Sequence, residues 1–213
     1  MKEMFDFNSI EDFDKHIQLS IPNYHTLFDI FQAISLEFMP PEGKCIDIGC
    51  STGKFLNELS SKIPAQYIGV DIVNMPSNKN FIYEQGDLVD VLKTHDTCDL
   101  IISMFTLQFL GKYKRKQALM ELKRLIDNGS RLLIAEKVYF SCSKLNNVLQ
   151  RQHYHHKRDF FTDKEILDKD YNLLGSMHCL YNSEVINELK YLGKAEQVWQ
   201  SYNFKGWIVE PEP

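Results

Sequence analysis

From residue 44 onward, short apolar runs alternate with stretches in which hydrophobic residues recur every third or fourth position. The runs at 44–48, 66–70, 81–84, 99–104 and 131–136 predict strands, and 54–62, 88–92 and 114–126 predict helices between them. Two amphipathic helices, 9–20 and 23–38, are expected on either side of Pro22, ahead of a Pro40-Pro41-Glu42-Gly43 break. Such alternation implies a doubly wound α/β domain with right-handed crossovers. Residues 141–171 interrupt it with a helical, His- and Lys-rich segment that reads as a cap beside the ligand. The segments 197–204 and 206–210, joined across Lys205-Gly206, read as an antiparallel hairpin on the sheet edge, making seven strands. The expectation is one domain over 1–213, with a helical N-terminal segment at 1–40.

Composition narrows this picture. At 213 residues and 44% hydrophobic, the chain can bury one substantial core. It has no run of eighteen apolar residues, and its first residues, MKEMFDFNSIEDFD, are acidic without a leader-like apolar core; a cytoplasmic protein without a membrane span is expected. Five cysteines without CxxC spacing suggest free thiols. Between Gly111 and Arg158, twelve Lys/Arg face only Glu121, Asp127 and Glu136. That flank carries +9 and the remainder −14, giving the net −5. It could steer an anionic substrate or a nucleic acid, or simply be solvated helix faces.

The loop after the first predicted strand carries Asp47-x-Gly49-x-Ser51-x-Gly53. A dinucleotide's pyrophosphate would be poorly served by a carboxylate before the first glycine. S-adenosylmethionine, with an ammonium, a sulfonium, a ribose diol and an adenine, would be well served. The spacing resembles motif I of class I methyltransferases, with Asp47 ordering the loop and the glycines admitting the ligand to the backbone. Asp71, 24 residues later, then suits the ribose hydroxyls, and Asp87 with the Leu88 amide suits the adenine. Taken singly, an acid after a strand is more often a cap or turn residue.

Nearly the whole chain further resembles the carboxy-S-adenosylmethionine synthase family. The likeness rests on Phe5-Asp6, Phe13-Asp14-Lys15-His16-Ile17, Ser20-Ile21-Pro22-Asn23-Tyr24 and Ile48-Gly49-Cys50-Ser51. It continues in Phe105-Thr106-Leu107-Gln108-Phe109-Leu110, Glu136-Lys137, His155-His156-Lys157-Arg158 and Trp199-Gln200-Ser201-Tyr202-Asn203-Phe204. The resemblance implies a Rossmann-like methyltransferase fold, a homodimer and binding of S-adenosylmethionine or its carboxylated form. It also implies a reaction in which prephenate carboxylates the cofactor, whose product serves wobble-uridine modification of tRNA. By the same resemblance Tyr24, Gly49, Cys50, Ser51, Asp71, Ile72, Asp87 and Leu88 would contact the cofactor. Two positions depart from the family: Met104 replaces an Asn, and Asp170, after Lys169, replaces the Arg that clamps the carboxylate. An arginine fork makes two charge-assisted bonds to a carboxylate, which Asp170 would repel. Lys169 or Arg158 would have to substitute.

Methyl transfer from an activated sulfonium needs proximity and orientation, and a general base only optionally. Glu136, His155 and Tyr181 are the candidates for such a base, although Glu136 could simply pair with Lys137. His153, His155, His156, Lys157 and Arg158, with Tyr154 and Tyr171, form either an anion-binding patch or a solvated cap, and their spacing offers no acidic or Cys partner for a metal. Met104 and Phe105 would wall the sulfonium. Trp199, Tyr202, Phe204 and Trp207 read as one buried face of the hairpin, with nucleobase stacking as the alternative. The expected function is methyl transfer to a small anionic acceptor. Carboxylation of the cofactor and a non-catalytic, cofactor-binding regulatory role are alternatives, and a nucleic-acid substrate is the weaker reading.

Overall fold

Five parallel strands, β1 (Lys44–Ile48), β2 (Gln66–Asp71), β3 (Ile82–Gln85), β4 (Leu100–Met104) and β5 (Arg131–Lys137), are joined by a hairpin, β6 (Lys194–Ser201) and β7 (Phe204–Glu210). The structure is a computed structural model and describes residues 13–74 and 79–212, so Phe5-Asp6 and the start of the expected 9–20 helix lie outside the described residues. The sheet order is β3-β2-β1-β4-β5-β7-β6, with β7 antiparallel to both neighbours. Order reverses between β1 and β4, and the carboxyl ends of those strands flank the crevice where ligands bind in such sheets. The helices are α1 (Phe13–Ser20), α2 (Tyr24–Phe38), α3 (Lys54–Ser60), α4 (Leu88–Thr94), α5 (Lys112–Asp127), α6 (Ser143–Arg158), α7 (Asp163–Leu173) and α8 (Asn182–Leu192). Among the described residues no helix is long and apolar enough to cross a membrane.

The central strands are apolar throughout because both sheet faces are covered. One face packs Cys45, Leu100, Ile102, Leu133 and Ala135 against Leu27, Phe31 and Leu56 of α2 and α3. The other packs Ile46, Ile48, Ile101, Leu132 and Ile134 against Leu122 of α5 and Leu189 of α8. The two-residue period of a strand therefore decides where each polar residue points. Asp47 and Met104 share parity with the α2/α3 face, whereas Glu136 shares it with the α5/α8 face.

Four expectations need correction. The cap is two helices, not one segment: Thr162 starts α7 through a reciprocal capping box with Glu165. Helix α8 was not anticipated, although Val185, Leu189 and Leu192 recur at helical spacing ahead of Gly193. The hairpin turns at Tyr202-Asn203, with Tyr202 in the left-handed region at φ 49°, and not at Lys205-Gly206. Gly206 lies inside β7 because α2 crosses there: an added Cβ would sit 2.8 Å from Leu27 Cδ1 and 3.3 Å from Phe31 Cε1. Finally, the hairpin aromatics do not share a face. Trp199 and Phe204 join the α2/α3 core and Trp207 the opposite one, because positions 204 and 207 differ by an odd number along β7. Gly206→Val should overpack the α2 contact and cost about 1–3 kcal/mol in urea denaturation.

Candidate active site

A cavity of about 500 Å³ opens at the carboxyl ends of β1 and β4, within the roughly 300–1,000 Å³ typical of small-molecule sites. Its floor begins at Asp47, which is fully buried and whose Oδ2 has no hydrogen-bond partner among the described residues. Burial, reinforced by the nearby Asp71 carboxylate, pushes its pKa up to about 8. A buried carboxyl perturbed this far inside a cavity marks a functional-site candidate.

The following loop is pinned to β2. The Gly49 and Cys50 amides donate to Val70 O at 2.7 and 3.1 Å, and the Ser51 amide donates to Asp71 Oδ2 at 2.9 Å. Gly49 is required here: at φ 74°, a Cβ would lie 2.3 Å from Thr106 Oγ1, which itself donates to Ile48 O at 2.9 Å. The left-handed backbone at Gly49, Ser51 and Gly53 turns the loop sharply into α3. Phe105, another left-handed residue at φ 59°, follows β4 and packs against Tyr24 and Phe204 at ring separations of 6.4 and 5.8 Å. Such backbone outliers cluster at functional sites.

Tyr24, Asp47, Gly49, Cys50, Ser51, Asp71, Ile72, Asp87, Leu88 and Met104 all line this cavity. Gly53 does not. Its missing side chain makes room for the Phe81 ring, which would lie 2.2 Å from a Cβ. Asp87 caps α4 by accepting from the Val89 amide at 3.0 Å and also pairs with Lys114, which holds its carboxyl below the ordinary range. The cap-residue reading and cavity placement are thus both true of Asp87.

The far end of the cavity is basic. Helical spacing turns His153 and Lys157 inward, one turn apart, while His155 is exposed and outside the cavity. His153 Nε2 meets Ser20 O at 2.8 Å, and burial lowers its pKa to about 3. Lys137, at the end of β5, and Lys169, on α7, also line this end. Lys169 contacts His16 and donates to Ser20 Oγ at 3.1 Å. Asp170 is offset by Lys157 at 3.6 Å and by the Tyr154 hydroxyl, so it faces the cavity already partnered.

Three other candidates are not brought to the site. Arg158 is exposed and pairs with Asp163 at 2.6 Å. Tyr181 is exposed at the start of α8, its ring 6.4 Å from Tyr139. Glu136 points to the opposite sheet face, as its parity requires, and bonds Arg115 Nη1 at 3.1 Å rather than Lys137. Residues that sequence reasoning had not placed there include His16 and Ser20 of α1 and Thr106. The only signal for them was membership of the family-like stretches quoted above.

A methyltransferase-domain family model matches residues 19–184. The chain belongs to the methyltransferase domain family. It is 26% identical over 99% of its length to the carboxy-S-adenosyl-L-methionine synthase of Desulfotalea psychrophila, covering 94% of that protein. It is 24% identical over 96% of its length to the enzyme of the same name from Hydrogenovibrio crunogenus, covering 88% of it. A solved structure of a Pyrococcus horikoshii protein superposes with a TM-score of 0.59 at 14% identity, covering 92% of this chain and 94% of that one. The seven-stranded, Rossmann-like methyltransferase architecture and a transferase activity are thereby placed on this chain.

The methyl donor implied by this family is S-adenosylmethionine, and the residues present fit it. Asp47 lines the cavity with one oxygen unpartnered among the described residues, free to meet the donor's ammonium. Both Asp71 oxygens take one backbone amide each, from Ser51 and from Val73 at 3.2 Å, and retain acceptor capacity for hydroxyls.

Proposed function

We propose that this S-adenosylmethionine-dependent transferase methylates a small anionic acceptor held beneath the α6–α7 cap. One observation carries the reading: a single cavity has an acidic end at Asp47 and Asp71 and a basic end at Lys137, Lys157 and Lys169, with the apolar Met104 and Phe105 also in its lining. A donor with a cationic amino-acid end suits the first, and an anion suits the second. Tyr24 and Cys50 would flank the donor's methionine part, Ile72 and Leu88 its nucleoside.

When bound, S-adenosylmethionine supplies an electrophilic methyl carbon on sulfur. The chain's part is to bind, orient and exclude water. Asp47 would neutralise the ammonium, the Gly49–Ser51 backbone would approach closely, and α1, tied to the loop by the Thr52–Asp14 hydrogen bond of 2.8 Å, would cover the reactants. The test is calorimetric binding of S-adenosylmethionine, followed by release of S-adenosylhomocysteine on incubation with a panel of small carboxylates and phosphates. Binding without release from any of them would favour the non-catalytic regulatory alternative; no binding would end the transferase reading.

Carboxylation of the cofactor is the second reading, favoured by the names of the two relatives and by a basic residue, Lys169, in the cavity next to Asp170. Incubation with S-adenosylmethionine and prephenate, read by mass spectrometry, distinguishes it through a product heavier by one carboxyl group. The basic flank gives a nucleic-acid substrate little support, since seven of its twelve cations are matched by carboxylates. Exposed Leu145, Val148 and Leu167 on the cap support the homodimer that the resemblance implies, which native mass spectrometry tests.

A further inference from the structure

In the basic end of the cavity, two basic nitrogens meet. Lys169 Nζ is in hydrogen-bond contact with His16 Nε2, and Nζ also reaches Ser20 Oγ at 3.1 Å. A contact between two such nitrogens requires one to present a lone pair, so a doubly protonated pair cannot hold this geometry. The pair therefore carries one proton at most along that line. We propose that Lys169, paired with His16, accepts the proton of the acceptor's attacking group, so that the methylated atom is a hydroxyl oxygen and not the acceptor's own anionic oxygen.

This deepens the transferase reading and rests on it. An ionised carboxylate attacks a sulfonium without any base. A hydroxyl oxygen must lose its proton as the bond to carbon forms. The balance closes within the site: the acceptor oxygen forms the O–C bond, the C–S bond breaks with its electron pair left on sulfur, and the hydroxyl proton passes to Lys169 Nζ.

The surroundings shift the Lys169 amine toward its neutral form before the acceptor arrives. Burial first, then the Lys157 charge, lowers the Lys169 pKa to about 7, with Lys137 acting in the same direction and Asp170 opposing. His16 is likewise held low, to about 4, by burial and then by Lys169 and Lys157. The groups facing Lys169 are His16 on α1, Lys157 and Tyr154 on α6, Asp170 on α7 and Lys137 on β5. One carboxylate against two further lysines leaves an excess of positive charge. An acceptor anion would offset that excess and raise the proton affinity of the pair, so the base strengthens when the anion is seated.

Two measurements test this on the full chain. Competitive acetylation with acetic anhydride across pH 5–10, read by peptide mass spectrometry, should show Lys169 half-reactive near pH 7, well below the ordinary lysine range. A Lys169 curve centred in the ordinary lysine range overturns the proposal, whether or not an acceptor is in hand. In the second, S-adenosylmethionine is incubated with hydroxy-substituted carboxylic acids and the same acids lacking the hydroxyl. Ethers should form from the first set only. Lys169→Met should lower kcat at least 100-fold and abolish the rise in rate near pH 7, with S-adenosylmethionine affinity unchanged. Lys169→Arg, charged at every pH, should not restore turnover. Full activity of Lys169→Arg, or methyl esters from both sets of acids, would overturn the proposal. A wild-type protein that fails to bind S-adenosylmethionine would instead sink the transferase reading, and the acetylation curve would still report on the pair.

Discussion

Affinity for S-adenosylmethionine is expected to rise by close to tenfold per pH unit between pH 5 and 7.5. The cause is Asp47, whose carboxyl is protonated below about pH 8 in the ligand-free protein. A cationic ligand needs the carboxylate, so binding below pH 8 must expel a proton, and every unit of acidification costs one factor of ten. Isothermal calorimetry at pH 6.5 in buffers of differing ionisation enthalpy should register nearly one proton released per ligand bound. A pH-independent affinity would show that Asp47 does not contact the cation. The stability of the free protein should run the other way. A carboxyl raised in the folded state from 3.8 to about 8 keeps its proton there while the unfolded chain has lost it. Its contribution is therefore lost as pH rises from about 4 through 8. Asp47→Asn removes the penalty: at pH 8 the free variant should be more stable by a few kcal/mol, while binding S-adenosylmethionine at least tenfold more weakly. A site that is costly to the free fold and useful only when occupied would account for both results.

The second large effect lies away from the cavity. Arg115, buried on α5, bonds Glu136 of β5 at 3.1 Å and Glu188 of α8 through Nη2 at 2.7 Å and Nε at 3.0 Å. Burial raises the Glu136 pKa to about 7, with Arg115 pulling it back, and Glu136 Oε1 has no side-chain partner among the described residues. Arg115→Ala should cost about 3–5 kcal/mol in urea-induced unfolding, because it leaves a fully buried carboxyl without its cation. The double change Arg115→Met with Glu136→Leu should recover most of that loss, since apolar replacement of a whole buried pair is often neutral. Equal destabilisation by the single and double variants would mean that the network matters through packing and not through charge. Either way, the affinity for S-adenosylmethionine should stay within about threefold of wild type, because Glu136 and Arg115 lie on the sheet face opposite the cavity.

Several parts of this protein were legible in the residue order because local chemistry decided them. Apolar runs such as Leu100-Ile101-Ile102, too short for helices and bounded by polar residues, read as strands covered on both faces, and the Asp47–Gly53 spacing marked a sharp turn after the first of them. Asp71 and Asp87, at the ends of their strands, were legible for the same reason: in a parallel sheet, strand ends gather at one rim. Met104 followed from its place at the end of β4.

Other features are nonlocal and depended on the assembled fold. Whether Gly206 was a turn or a strand residue depended on how closely α2 crosses β7, a contact across more than 170 positions of chain. Whether Glu136 was a base or a brace depended on strand parity against α5 and α8, and α8 itself had gone unread. His155 and His153 look equivalent in sequence, yet one helical turn sends His153 and Lys157 into the cavity and leaves His155 outside. The meeting of His16 with Lys169, 153 positions apart, had no local signature. Hydrophobic period and loop chemistry are properties of neighbours in sequence, so the chain alone determined the sheet and the acidic end of the cavity. The basic end is built from α1, β5, α6 and α7 converging in space, and only packing could decide which of their polar side chains share it.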